Sequence, residues 1–394
     1  MRQALVRFEL GARQITCALT AVVIFLCCQP VAAESVAPEV VAWGWSIETV
    51  AAAYANDFDM ELDSRGMIHV VFHDEQNGDN FYLRRSSPGV WSDWAFPYYG
   101  SGLLLDFDPV DELQYVLYRD HSNFDLMLAW RTVTGDWTNT VALVTDYVEN
   151  LSFEMYGGTA HIAYVTSSNE VMYYHFDPDG SSWGVWLGTA IGLETPKPSL
   201  AVRSDGIPRV SYDLDGVLYY ATTADMVTWT SAVVDNSAAN VGRYSSLVLD
   251  STDMPSISYR DSTNADLKYA YYNPFIPGWT TSVVAGAMSA AGELTSMALD
   301  PRTDYPRISS RAFDCAICLH ELVGSGQWAE TEVSDGNTYR RKVVVNSVGD
   351  VLIAFHAESA TNVHALKLAV DNRRVFFDDF ESGTTNAWNG PGTP

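Results

Sequence analysis

Residues 45–50 read Trp-Ser-Ile-Glu-Thr-Val, a β-rich run introduced by tryptophan. The same opening returns as WTNTVALV at 137–144, WTSAVV at 229–234, WTTSVV at 279–284 and WAETEV at 328–333. With Trp91 and Trp183 these make seven tryptophans, at 45, 91, 137, 183, 229, 279 and 328, separated by 46, 46, 46, 46, 50 and 49 residues. Self-similarity at this period in β-rich units predicts a propeller, in which each unit is one small antiparallel blade. Outward from Trp91 the units run as three strands and then the Trp strand. The last unit has KVVVN (342–346), DVLIAFH (350–356) and VHALKLAV (363–370), and no Trp strand after them. The missing strand is Trp45–Val50, at the other end of the chain. An open ring would leave two sheet edges unpaired. The expectation is therefore an all-β fold of seven four-stranded blades over 34–374, the last closed three-plus-one by the N-terminal strand.

The second strands carry the clearest pattern: IHVVFH (68–73), LQYVLYR (113–119), HIAYV (161–165), PRVSYD (208–213), PSISYR (255–260), PRISSR (306–311) and VLIAFH (351–356). They alternate as strands with two distinct faces do. Each has an anchor near its end: Phe72, Tyr118, Tyr164, Tyr212, Tyr259, Ser310 and Phe355. Six are aromatic, which suits packing of blade on blade; Ser310 makes the sixth unit the most degenerate. Asp63–Gly66, Arg203–Gly206, Asp250–Asp253 and Asn346–Gly349 are tight-turn sequences between first and second strands. Pro208, Pro255 and Pro306 stand where second strands begin, so no ladder N–H is missed.

The first 33 residues have the form of a secretory signal. Arg2, Arg7 and Arg13 precede an apolar stretch, Ile15 to Cys28, and Val31-Ala32-Ala33 offers small residues for cleavage after Ala33. The stretch is short for a transmembrane helix, so no membrane span is expected in the mature chain. Removing 33 of 394 residues leaves 361; Lys and Arg fall from 23 to 20, Asp and Glu from 49 to 48, and the net charge goes from −26 to −28. Such a charge excludes nucleic acid and anionic membrane as natural partners. A monomer outside the cytoplasm, secreted or on a bacterial cell surface, is expected. Cys315 and Cys318 remain after cleavage; their spacing in a strand puts them on opposite faces, and two buried thiols are the plain reading. The C-terminal Val375–Trp388 breaks the repeat, and 375–394 reads as a sorting or attachment tail, or as a frayed end.

The unit SISYRDSTNADLKYAYY (256–272), followed by Trp279, resembles the repeats of secreted bacterial β-propellers. More loosely, Asp177–Trp183 and Thr223–Trp229 resemble the Asp-box turns of sialidases and related lectins. Both lie one residue out of register with the Ser-x-Asp-x-Gly-x-Thr-Trp pattern, and no arginine-anchored start motif is present. The resemblance implies a fold and carries over no catalytic residue.

Three second-to-third hairpins spell Asp-x-x-Asn-x-Asp: Asp74, Asn77, Asp79; Asp120, Asn123, Asp125; and Asp261, Asn264, Asp266. Oxygen ligands at this density suit Ca²⁺, and the same residues cap hairpins without any metal. No cofactor other than a possible Ca²⁺ is expected. The residues following the anchors are His73, Arg119, Val165, Asp213, Arg260, Arg311 and His356. A closed ring would bring Arg119, Arg260 and Arg311 to one axial funnel, as fork donors for anionic ligands or paired with Asp120 and Asp261. His73 and His356 join them as candidate ligand contacts, with Trp94, Trp186, Tyr98 and Tyr99 as faces for sugar stacking. The chain contains no nucleophile elbow, zinc-helix motif or phosphate loop, and with so many carboxylates no glycosidase pair stands out. The expected function is non-catalytic recognition of a glycan or another extracellular ligand; a propeller hydrolase or lyase and a protein-binding scaffold are the alternatives.

Overall fold

The computed structural model describes residues 39–40, 44–55, 57–131, 135–144, 147–177, 182–191, 195–286, 293–311, 316–324, 326–334, 337–358 and 364–371. All of them lie in one compact unit, Val36–Pro394. The expected signal segment and C-terminal tail lie outside the described residues. Among the described residues there is no helix, and seven antiparallel sheets form a ring.

From the axis outward each blade runs first, second, third and fourth strand. The first strands are Asp57–Leu62, Gly100–Phe107, Val148–Tyr156, Ser199–Val202, Val241–Leu249, Glu293–Leu299 and Asn337–Val345. The fourth strands of blades one to six begin at or just before the repeated tryptophans. Blade seven takes its fourth strand from the N-terminus: Trp45–Ala51 pairs antiparallel with His364–Asp371, Trp45 opposite Asp371 and Glu48 opposite Leu368. A two-residue strand, Glu39–Val40, adds a fifth strand outside it.

Alternation in the second strands puts one set of side chains against the blade before and the other against the blade after. Seven apolar clusters result, one between each pair of neighbouring blades. The aromatic anchors are all buried. The repeated tryptophans reach back to the third strand of the preceding blade: Trp137 onto Tyr82 with ring centroids 5.4 Å apart, Trp229 onto Tyr173 at 4.8 Å, Trp279 onto Tyr220 at 5.1 Å and Trp328 onto Tyr269 at 5.3 Å. Tilted and edge-on contacts of this kind are favoured by the ring quadrupoles.

A second set of bonds laces the first strands together around the axis. Asp59 Oδ2 accepts from Leu105 N (3.0 Å), Asp106 Oδ2 from Met155 N (2.5 Å), Glu154 Oε2 from Val202 N (2.8 Å) and Ser199 Oγ from Leu247 N (2.9 Å). Ser246 Oγ accepts from Met297 N (3.1 Å) and Ser296 Oγ from Val343 N (3.1 Å). The last step is ionic: Lys342 Nζ reaches Asp59 (3.1 Å) and Glu61 (2.6 Å) of blade one. The first strands of blades one to six thus each satisfy a backbone N–H of the next.

The expected pair of free thiols is corrected. Cys318 is fully buried but disulfide-bonded; Cys315 lies outside the described residues.

Candidate functional site

The first strands enclose an axial channel of about 1220 Å³ lined from all seven blades. One end is set by second-to-third hairpins and blade-to-blade links, which share a face as their sequence order requires. Glu75 N donates to Tyr54 O (3.1 Å), His121 N to Tyr99 O (3.3 Å) and Ser262 N to Asn240 O (2.8 Å), each bond joining a hairpin to a link. This face is called upper here.

At the upper mouth the first strands are bulged. Register shifts fall between Ser101 and Leu104, Glu149 and Ser152, Arg243 and Ser246, and Glu293 and Ser296. At each bulge one residue takes a left-handed backbone: Gly102 (φ 68°), Asn150 (51°), Tyr244 (54°) and Leu294 (52°). Bulges re-aim side chains, and a bulky residue at positive φ needs support. Tyr244 has it: its carbonyl accepts from Thr295 Oγ1 (2.6 Å) in the next blade. Its ring lines the channel, with the Lys197 ammonium 4.7 Å and the Arg243 guanidinium 5.4 Å from its centroid. Lys197 is fixed by its backbone, its N donating to Asp213 Oδ1 (2.9 Å) and its carbonyl accepting from Ser245 Oγ (3.3 Å). Arg119, from blade two, lies 5.0 Å from the centroid of Tyr147, a ring 42% exposed. Arg340 also lines the mouth and pairs with Asp57 at 2.6 Å.

Burial shapes the titration of this wall. It lowers the Lys197 ammonium, helped by the positive charges of Arg243 and Arg340. It raises Asp213 to about 6. Deeper in the channel stand Glu61, Asp106 and Glu154. Burial raises all three carboxyls, Glu154 to about 8; the charge of Glu61 adds to the rise of Asp106 and Glu154, and that of Asp59 to the rise of Glu61.

Three arginines, Arg119, Arg260 and Arg311, were expected at one funnel. Arg119 lines the channel; Arg260 and Arg311 do not. Arg119 stands opposite Ser101, the residue before Gly102, where a Cβ would meet Leu151 Cδ1 at 3.2 Å. The same place is taken by Tyr244 beside Arg260 and by Leu294 beside Arg311. The cations that share the mouth with Arg119 are Lys197 and Arg340. Tyr147, Lys197 and Tyr244 were not legible because they sit in links and first strands, where the repeat pattern is weakest.

The remaining candidates are placed as follows. His73 is buried and its Nδ1 lies 2.6 Å from Asn80 Oδ1; its ring is edge-on to His121 at 5.3 Å. His356 is fully buried, 3.2 Å from His364, and burial lowers it to about 4, so it presents no surface to a ligand. Tyr98 stacks on Tyr118 and is part of the packing. Tyr99 and Trp186 are exposed, 55% and 57%, the first on the upper face and the second on an outer strand. The Trp94 side chain lies outside the described residues.

The leading hairpin aspartates are engaged in their own turns. Asp74 accepts from Gln76 N (3.1 Å) and Asn77 Nδ2 (2.7 Å), Asp120 from Ser122 N (2.6 Å), and Asp261 from Thr263 N and Asn264 N (both 3.0 Å). Asp79, Asp125 and Asp266 close the same hairpins, and Asn123 Nδ2 donates to Asp125 Oδ2 at 2.6 Å. Among the described residues none of these aspartates belongs to a group of three metal-ligating side chains. The Asp-box-like Thr223–Trp229 is also a turn: Asp225 Oδ1 accepts from Val227 N (3.0 Å) and Thr228 N (2.6 Å), bonds that hold its carboxyl down at about 2. Most of the segment around Asp177 lies outside the described residues.

Two further clusters have chemical form without access. Ser310 Oγ lies 2.8 Å from His320 Nε2, and His320 Nδ1 lies 3.5 Å from Glu330, the connectivity of a nucleophile–base–acid relay. Ser310 and His320 are 0% and 1% exposed, so no acyl group reaches the hydroxyl. Cys318, His320 and Glu330 converge as metal ligands would, but a disulfide sulfur is not the thiolate a metal needs.

No protein-family model and no curated protein matches the chain. Solved structures do. The BP39L lectin from Burkholderia pseudomallei matches with a TM-score of 0.55 at 11% identity, over 69% of this chain and 82% of its own. The polysaccharide lyase Uly1 matches with 0.54 at 11%, over 82% and 91%. A variant of the Aleuria aurantia lectin bound to Fucα1-6GlcNAc matches with 0.46 at 12%, over 71% and 95%. At these identities the likeness to the lectin and the lyase is one of fold alone.

Proposed function

We propose that the protein is an exported, non-catalytic recognition propeller that takes a glycan at the upper mouth of its channel. The observation that carries this reading is the pair of tyrosines there, Tyr147 and Tyr244, each with a cation against its face on a concave wall. A sugar ring offers C–H groups to an aromatic face and hydroxyls to the polar groups beside it, and binding sites combine such apolar faces with a few placed polar groups. The channel volume, about 1220 Å³, leaves room for an oligosaccharide at its mouth. Export is supported by the signal-like residues 1–33 and by the disulfide at Cys318, a bond that lasts in oxidising compartments.

A glycan array run beside a reducing-end release assay tests the function. Binding without release, lost in the Tyr147→Ala/Tyr244→Ala variant at unchanged melting temperature, is the expected result. Release of new sugar ends would make the protein a hydrolase or lyase. Silence in both assays would leave a protein-binding scaffold.

A further inference from the structure

We infer that the glycan taken at the upper mouth is anionic, a saccharide bearing carboxylate or sulfate ester groups, and that Arg119 and Lys197 recognise its charge. The saccharide part rests on the glycan reading above; the charge part rests on the cations alone.

The chain has 49 acidic residues against 23 Lys and Arg, so carboxylates are available in excess as partners for its cations. Several are held by them. Glu48 holds Arg85, Asp235 holds Lys268, and Asp300 holds Arg302 and Arg307. At the channel itself Asp57 holds Arg340, and Asp59 and Glu61 hold Lys342. Arg119 and Lys197 differ. Arg119 donates to two neutral oxygens, Val148 O (3.3 Å) and Ser101 Oγ (3.0 Å), and its buried Nε has no acceptor. The Lys197 ammonium has the face of Tyr244 and, among the described residues, no hydrogen-bond acceptor or ion pair. Asp213 and Glu149 act on it only through space.

A half-buried cation crowded by Arg243 and Arg340 is poorly solvated, and a ligand anion would relieve it. The fork of Arg119 and the point charge of Lys197 are the two usual ways of holding carboxylate or sulfate oxygens. Below the mouth the wall carries Glu61, Asp106 and Glu154, and Lys342 is already paired, so the charged ligand lies across the mouth instead of down the channel.

The test is calorimetric titration of the full chain with three probes: tetragalacturonate, a chondroitin sulfate tetrasaccharide and neutral maltotetraose. The variants are Arg119→Gln, Lys197→Gln and, as a control away from the channel, Arg311→Gln; melting temperatures show whether each is folded. At least one acidic probe should bind more tightly than the neutral one and weaken as NaCl is raised. Arg119→Gln and Lys197→Gln should each weaken it by about 10- to 100-fold, the loss of a charged hydrogen bond. Arg311→Gln should leave it unchanged. Equal binding of acidic and neutral probes, unaltered in folded variants, overturns the charge assignment and leaves the glycan reading standing. No binding of any saccharide, with sodium sulfate still raising the melting temperature of the wild type but not of Lys197→Gln, overturns the glycan reading and makes the site one for another anion.

Discussion

Glu154 shows how one buried residue couples the channel to pH. Its Oε2 accepts from Val202 N at 2.8 Å and its carboxyl faces Asp106 and Glu61. In the folded chain it keeps its proton up to about pH 8; in the unfolded chain it loses it near 4.5. Its contribution to stability is therefore fully present below pH 4.5 and lost as the pH rises through 8. Buried histidines act in the opposite direction. His69, His320 and His356 are lowered to about 4, so their contribution is present above 6.5 and lost as the pH falls through 4. The melting temperature should form a dome between these limits. Glu154→Gln keeps the acceptor and removes the charge, so it should match the wild type at pH 4.5 and exceed it at pH 8, by roughly 2 kcal/mol after screening in the open channel. Thermal melts across that range would refute this if the two curves stayed parallel.

At the scale of the strand, closure was legible from a single missing tryptophan, and its chemistry was not. Glu48, in the closing strand, is 4% exposed and accepts from four donors of blade one. These are Arg85 Nε (2.9 Å) and Nη2 (2.8 Å), Gly89 N (2.8 Å) and Trp91 Nε1 (3.0 Å). Nothing in the run WSIETV marks that glutamate, because its partners lie some 40 residues away in a hairpin that only the closed ring brings near. Glu48→Ala should strand Arg85 and cost roughly 3–5 kcal/mol; urea unfolding showing a loss under about 1 kcal/mol, a surface pair's worth, would contradict it. Turns were readable residue by residue. Gly66, Gly206, Asp253 and Gly349 all adopt the positive φ that their sequences suggested. The bulges of the first strands were not, since Asn150, Tyr244 and Leu294 hold the same conformation with no glycine to announce it.

Across the whole molecule, the repeat determines the ring because each blade can bury its faces only against neighbours. Seven apolar clusters, the tryptophan contacts and the lacing of the first strands all recur with that period. The candidate site does not recur. It arises where the repeat lapses: at Arg119 beside the Gly102 bulge of blade two, and at Tyr244 in the equivalent bulge of blade five. A reading built on equivalent positions therefore grouped Arg119 with Arg260 and Arg311, and missed Lys197 in the link before blade four. The most direct measurement is a crystal structure of the protein with the tightest-binding oligosaccharide from the array. A sugar ring stacked on Tyr147 or Tyr244 within reach of Arg119 or Lys197 is the predicted result. A sugar bound on the outer strands, at Trp186 or between blades, with the channel mouth empty, would contradict it.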